Sequence, residues 1–361
     1  MSDAARQGDE LIALRRHLHT RPELSGRELE TARLVTDHLR ACGAREVLTG
    51  LGGHGVAGVF GLADPAFPSI MLRCELDALP LPEAPDCAWP SQVPDCAHKC
   101  GHDGHMAILL GVARRLQDAP PVRGRIILLF QPAEETATGA AALLADTLFC
   151  ALDPDWIFAL HNLPGYPAWQ VLSRPGVFAA GGCRLRIHFP GPQPEAILEQ
   201  LLPQLVNLNS DRADWPALVI VNNEDNDAGS LWVSLRATED RWLHELQAEV
   251  RALAADLARD RECESVVEVA EQWPVTRNDS RAVALIEKAA AELDLETASP
   301  GESPFQWAED FGRLTAWRPG AMLGLGAGEN HPALHARDYE FPDDLILPGV
   351  TLLHRLCRIA M

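Results

Sequence analysis

Five short segments of the 361-residue chain concentrate side chains that bind metals or move protons. They are Arg73-Cys74-Glu75-Leu76-Asp77-Ala78-Leu79-Pro80, Cys96-Ala97-His98-Lys99-Cys100-Gly101-His102-Asp103-Gly104-His105, Phe130-Gln131-Pro132-Ala133-Glu134-Glu135, Ala159-Leu160-His161-Asn162 and His331-Pro332-Ala333-Leu334-His335. Thiolate, imidazole and carboxylate together are donors that zinc and similar divalent ions accept. Glu134 and Glu135 point to opposite faces of an extended chain, so one can bind metal while the other accepts a proton. A metal-activated water needs such a free base nearby. Each segment also has an ordinary reading. A Glu-Glu pair is commonly a solvated surface, and His161 can be a satisfied core histidine. Cys96 and Cys100 can belong to a structural zinc knuckle, and Glu75 and Asp77 can cap a turn. His331 and His335 can be surface residues on a loop. Placement argues for a shared crevice, because the first, third and fourth segments follow predicted strands. Ligand sites of open α/β sheets form at the carboxyl ends of strands.

The elements that must position these segments are readable from periodicity. Leu11, Leu14 and Leu18 predict a first helix, and Ser25, with Glu28 three residues on, predicts a capping box for a second helix ending near Cys42. Gly50 to Gly61 reads as a hairpin. Residues 69–74, 125–130 and 156–160 read as buried strands, the middle one a six-residue apolar run stopped by Gln131-Pro132. Helices are expected at 103–117 and 140–144. Between about 180 and 275 the style changes to strand 184–189, helix 194–208, strands 217–222 and 231–237, helix 239–260 and strand 264–270. That β-α-β-β-α-β order is a self-contained α+β unit. The α/β style then resumes with helices at 280–294 and 307–314, a strand at 321–325 and a last helix from about 343. The expected fold is therefore α/β, a mostly parallel central sheet with helices on both faces, interrupted by an inserted α+β domain.

Composition narrows the function classes. Lys and Arg number 31 against 51 Asp and Glu, a formal charge of −20, and no basic stripe stands out. Nucleic acid and anionic membranes are thus not expected as partners. No run of eighteen apolar residues predicts a membrane span. The polar, acidic start does not resemble a secretory signal, and nine scattered cysteines suit a reducing cytoplasm.

Taken in order, several motifs resemble the aminoacylase and carboxypeptidase family of metal-dependent amidohydrolases. They are Arg16-His17-Leu18-His19 with Pro22-Glu23-Leu24-Ser25 and Glu28, Asp77-Ala78-Leu79-Pro80, Cys100-Gly101-His102-Asp103-Gly104-His105, Phe130-Gln131-Pro132-Ala133-Glu134-Glu135, Leu160-His161-Asn162 and Leu334-His335. The subgroup they are most similar to holds hippurate hydrolases, N-acyl-amino-acid amidohydrolases and auxin-conjugate hydrolases. The resemblance runs from about residue 10 to 178 and from 279 to the end. It implies a catalytic domain in two parts, 1–178 and 277–361, with 179–276 as a lid that commonly also forms a homodimer. It implies two divalent cations, zinc or manganese first and cobalt or nickel also suited, held by Cys100, His102, Glu135, His161 and His335. Glu134 matches the general base, Asp77 an acid that orients the site, and His98 a position close behind the ligands. The implied reaction is hydrolysis of an N-acyl amino acid by a metal-activated water, with Glu134 moving the proton.

Three departures stand against the subgroup. Its lid carries a Ser-His-Ala-type segment soon after the first strand, whereas here Leu185-Arg186-Ile187-His188-Phe189 runs straight into Pro190-Gly191-Pro192-Gln193-Pro194-Glu195. His188 lies inside the strand and is no obvious replacement, and the loss of one carbonyl-polarising donor costs about 10²–10³ in rate. The region Val221-Asn222-Asn223-Glu224-Asp225-Asn226 is shortened, and Glu75 stands where the subgroup usually has Asp. Arg236 on the lid is open to two readings, a binder of a substrate carboxylate or a surface arginine. Two competing functions follow: a cysteine hydrolase using Cys100 as nucleophile, and a catalytically weak or non-catalytic metal-binding homologue.

Overall fold

The computed structural model describes residues 3–190, 194–210, 217–222, 230–301 and 304–361. The chain forms two compact units. The first takes the described residues of Met1–Gly176, Asn278–Glu302 and Arg313–Met361, and the second those of Val177–Arg277 and Ser303–Gly312.

The first unit is built on an eight-stranded sheet in the order Glu46–Leu51, Gly55–Gly61, Arg125–Gln131, Ser69–Glu75, Trp156–Leu163, Gly320–Gly326, Val171–Leu172, Thr297–Ala298. Its four central strands, Arg125–Gln131 to Gly320–Gly326, run parallel to one another. The first two strands form an antiparallel hairpin that also joins Arg125–Gln131 antiparallel. Ile126 to Phe130 are fully buried, as expected of a strand covered on both faces, and each such side chain contributes about 1.5–3 kcal/mol. Leu11, Leu14 and Leu18 of helix Asp3–His19 share one core with Leu109 and Val112 of helix His102–Asp118 and with Leu353 and Leu356 of helix Ile346–Ala360. Gly111 permits that packing, since a Cβ there would lie 2.9 Å from Leu11 Cδ1.

The second unit is an antiparallel sheet ordered Val266–Trp273, Gly181–His188, Ser230–Ala237, Ala217–Asn222. Cys183, Leu185 and Ile187 turn into its core while Arg184, Arg186 and His188 do not, the alternation of a half-covered sheet. Ile197, Leu201 and Leu205 of helix Pro194–Ser210 and Leu243, Leu246 and Val250 of helix Asp240–Arg259 close that core. The observed order is β-α-β-β-α-β.

Several local expectations need correction. Ser25 does not cap the second helix, because its hydroxyl donates to Asp77 Oδ2 at 2.6 Å. The helix is Leu29–Ala41, and its free N–H groups are taken by Glu23, whose carboxylate accepts from Thr31 N at 2.8 Å and Glu30 N at 3.2 Å. The helix expected at 307–314 begins only at Phe311. Phe305 exchanges backbone hydrogen bonds with Phe178 and Ala180, and Phe305 and Trp307 stack beside Phe178, which holds that stretch extended. Residues 304–312 accordingly fold with the second unit. The strand expected at 264–270 runs Val266–Trp273, shifted by its pairing with Gly181–His188 and a bulge between Val269 and Glu271. Gly191 to Gln193 and Asn223 to Asn226, where the missing lid segment and the shortened region were expected, lie outside the described residues.

Candidate metal centre

The parallel pairing brings three strand ends to one edge of the first unit. Glu75 is in register with Gln131, and Arg73 with both Leu129 and Ala159. The chain beyond Glu75 therefore delivers Asp77, the chain beyond Gln131 delivers Glu134 and Glu135, and the last turn of Trp156–Leu163 delivers His161. The fourth contributor is the start of helix His102–Asp118. Gly101 precedes it with φ +93, and a Cβ there would lie 2.5 Å from Asn162 Oδ1 and 2.8 Å from the Tyr339 hydroxyl. Only glycine fits a left-handed residue that close to other side chains. The fifth contributor, His335, is itself left-handed at φ +66, and its N–H donates to the Lys99 carbonyl at 2.8 Å.

These contributors converge. Donor atoms of Cys100, His102 and His161 lie within 4.8 Å of one another, as do those of Cys100, Glu135 and His335, and those of His102, Glu134 and Glu135. Cys100 Sγ is 3.5 Å from His161 Nε2. His102 Nε2 is 3.9 Å from both Glu134 Oε2 and Glu135 Oε1, and His335 Nε2 is 3.8 Å from Glu135 Oε1. Cys100, His102, Glu135 and their neighbours thus form overlapping donor groups, the arrangement two nearby cations need.

Hydrogen bonds fix which atoms face the cluster. His102 Nδ1 donates to the Asp77 carbonyl at 2.8 Å, and His161 Nδ1 to the Asn162 carbonyl at 2.9 Å, so each ring turns Nε2 inward. Asp77 Oδ2 accepts from Glu135 N at 2.9 Å as well as from Ser25, which ties the Glu134-Glu135 loop to the strand end. His102 Nε2 and Glu135 Oε1 are buried with no hydrogen-bond partner. Such atoms are costly to leave unmatched, and a soft imidazole nitrogen beside a carboxylate oxygen and a thiol is the donor set of a transition-metal ion. The residues present therefore fit a metal.

Charge tells the same story. Burial raises the Cys100 thiol well above its ordinary range and pushes the Glu135 carboxyl up to about 7. Burial alone would depress His102, but Glu75, Asp77 and Glu135 outweigh it and lift the imidazole to about 10. Burial holds His161 neutral, down to about 3. The surplus of acid around His102 is the electrostatic setting that favours a cation there. A buried, protonated thiol also makes Cys100 a poor free nucleophile.

Other residues surround the cluster. His98 is buried beside it, and neither ring nitrogen has a hydrogen-bond partner, so it makes no polar contact with the donors. Glu75 is fully buried between Arg73 and His105; burial opposes its charge, but Arg73 and His105 keep it well below the usual carboxylate range. His105 lies between Glu75 Oε2 at 2.7 Å and Asn162 Oδ1 at 2.6 Å, and Asn162 Nδ2 donates to the Tyr339 hydroxyl. His331 spends Nε2–H on the Glu340 carbonyl at 2.7 Å. Arg236, in the second unit, bonds the Leu235 carbonyl at 3.1 Å and lies 5.5 Å over the Trp273 ring. Sequence reasoning gave no role to Asn162, Tyr339 or Lys99. Lys99 had one signal: it is one of only two lysines in the chain, and it sits inside the Cys-His segment.

Residues 71–359 match peptidase family M20/M25/M40. The chain belongs to that family. Hippurate hydrolase of Campylobacter jejuni is 30% identical over 96% of this chain and 95% of its own length. N-acetyldiaminopimelate deacetylase of Enterococcus faecalis is 26% identical over 95% of each chain. Among solved structures, the YXEP protein of Bacillus subtilis, described as a dinuclear metal binding peptidase from the M20 family, superposes with a TM-score of 0.79 at 25% identity over 98% of both chains. This M20 chain is accordingly a hydrolase of amide bonds, and its described residues contain no helix long and apolar enough to cross a membrane.

Proposed function

We propose that this M20 hydrolase releases amino acids from N-acyl amino acids or closely related small amides. Cys100, His102, Glu135, His161 and His335 hold two divalent cations, zinc or manganese before cobalt or nickel. Cations held there would supply Lewis acidity, to make a water acidic enough to deprotonate near neutral pH and to polarise the scissile carbonyl. Glu134 accepts the proton of the attacking water and returns it to the departing amine. Asp77 aligns His102 through its carbonyl and Glu135 through its carboxylate. The single observation that carries the reading is the unmatched pair of buried donors, His102 Nε2 and Glu135 Oε1, inside overlapping groups of three donor residues. The hippurate and acetyl-amino-acid substrates in the relatives' names support the substrate class. We assign the second unit the lid role and the pairing of two copies; both outer strands of its sheet, Ala217–Asn222 and Val266–Trp273, lack a described neighbour on one side.

The test is elemental analysis of the purified protein alongside an amine-release panel of N-acetyl, N-benzoyl and indole-acyl amino acids. Two equivalents of metal with turnover on at least one class is expected. Stoichiometric metal with no turnover on any class would instead leave a metal-binding homologue.

A further inference from the structure

Glu134 sits in a loop whose backbone is under constraint. Ala133, the residue before it, adopts φ +50, a conformation that side chains other than glycine rarely take. The chain on either side is held by acids from distant segments. Glu135 N–H donates to Asp77 Oδ2 at 2.9 Å. Ala133 N–H donates to Glu28 Oε1 at 2.8 Å, across 105 residues of sequence. Glu28 is fully buried, and the same oxygen accepts from Gly26 N–H at 2.8 Å. Ser25, one residue earlier, donates to Asp77. The short stretch Ser25 to Glu28 therefore grips the Glu134 loop at both ends, once through Asp77 and once through Glu28.

We infer that Glu28 is a positioning residue for Glu134. Its acceptor oxygen pins the Ala133 amide, keeps that residue left-handed, and so fixes where the Glu134 carboxylate points. The requirement is reach and an acceptor atom at that spot; the negative charge is incidental, since the two donors that Oε1 holds, the Ala133 and Gly26 amides, are neutral. A misplaced proton acceptor costs rate steeply, with displacements near 1 Å worth up to about a hundredfold. The inference rests on the proton-transfer role of Glu134 proposed above.

Two variants separate reach from charge. Glu28→Gln keeps an acceptor oxygen at the same distance and removes the charge. Glu28→Asp keeps the charge and shortens the arm by one methylene. Both are assayed on the N-acyl amino acid turned over fastest in the panel, with metal content measured on the same samples. The expected result is kcat within about threefold of the parent for Glu28→Gln and about ten- to hundredfold lower for Glu28→Asp. KM and the two-metal content stay unchanged, and amides in a 131–137 peptide exchange faster in Glu28→Asp. Full activity of Glu28→Asp, an inactive Glu28→Gln beside an active Glu28→Asp, equal losses in both, or a loss confined to KM or metal overturns the inference. Should either variant fail to fold, hydrogen exchange on the parent decides, because a fast-exchanging Ala133 amide is incompatible with the grip. Glu134→Ala runs in parallel: if it is active, the proton-transfer reading itself fails; if it is dead while Glu28→Asp is unaffected, only the role of Glu28 falls.

Discussion

Two neighbouring residues, His102 and Asp103, open the same helix and belong to two polar clusters that are completed in opposite ways. The His102 cluster gathers thiol, imidazole and carboxylate and leaves His102 Nε2 and Glu135 Oε1 unmatched. The Asp103 cluster supplies its own cations. Asp103 Oδ2 accepts from His19 Nδ1 at 2.8 Å and Arg15 Nη1 at 3.3 Å, while Glu83 Oε1 accepts from His19 Nε2 at 2.9 Å and Lys99 Nζ at 2.6 Å. Asp343 binds Arg15 and Arg16, and of these acids only Asp103 Oδ1 is left over. The acids respond accordingly. Burial wins at Glu135 and raises it; at Glu83 burial is overcome by His19 and Lys99, which hold it down at about 2. His19, Glu83 and Cys87 are spaced closely enough to suggest a further metal site, but the Lys99 ammonium already serves the Glu83 carboxylate. Residue types thus do not distinguish a metal site from an ion network. What distinguishes them is whether the protein provides the positive charge itself.

That contrast can be broken most sharply by taking the metal away. Dialysis against a chelator is expected to abolish amide hydrolysis and readdition of zinc or manganese to restore it; activity that persists in metal-free protein would place the two clusters in one class. Next in size is Glu134→Gln, expected to lower turnover by about 10²–10⁴ while two equivalents of metal remain bound. Amine release together with elemental analysis checks it, and loss of metal would move Glu134 among the ligands. The opposite signature belongs to the ion network. Arg15→Met removes a buried cation from Asp103, and should reduce unfolding free energy by on the order of 3–5 kcal/mol in urea titrations, with metal content kept. A variant as stable as the parent would show that the network is not internally completed.

The smallest effect is a pH dependence. Burial alone would depress His19, but Asp103 and Glu83 raise it from 6.5 to about 9. The folded protein therefore holds a proton there that the unfolded chain releases near pH 6.5. The contribution is full below pH 6.5 and lost as pH rises through 9, at most about 3 kcal/mol. Urea unfolding of the chelated protein at pH 6.5 and 9.5 should show this decline, and His19→Gln should lack it; parallel declines in both proteins would remove His19 as the cause.

Much of the site was legible because it follows strands. The apolar run Ile126 to Phe130 predicts a central strand, so the acids after it had to emerge at a sheet edge, and His161 is read the same way. Glu28 was legible as a residue and misread in role. Capping boxes are a local pattern, and nothing local shows that Ala133, 105 positions away, donates to it. Lys99, His19 and Glu83 escaped for the same reason: each looks like an ordinary polar residue until its partners are brought beside it.

The order of strands, the donor types and the glycine at 101 are properties of the sequence itself, since hydrophobic period and backbone freedom act over a few residues. Which histidine nitrogen faces inward, which acid is left without a partner and which lysine replaces a cation were decided only by the tertiary structure. Hydrogen bonding and desolvation depend on atoms within a few ångströms in space, whatever their distance along the chain.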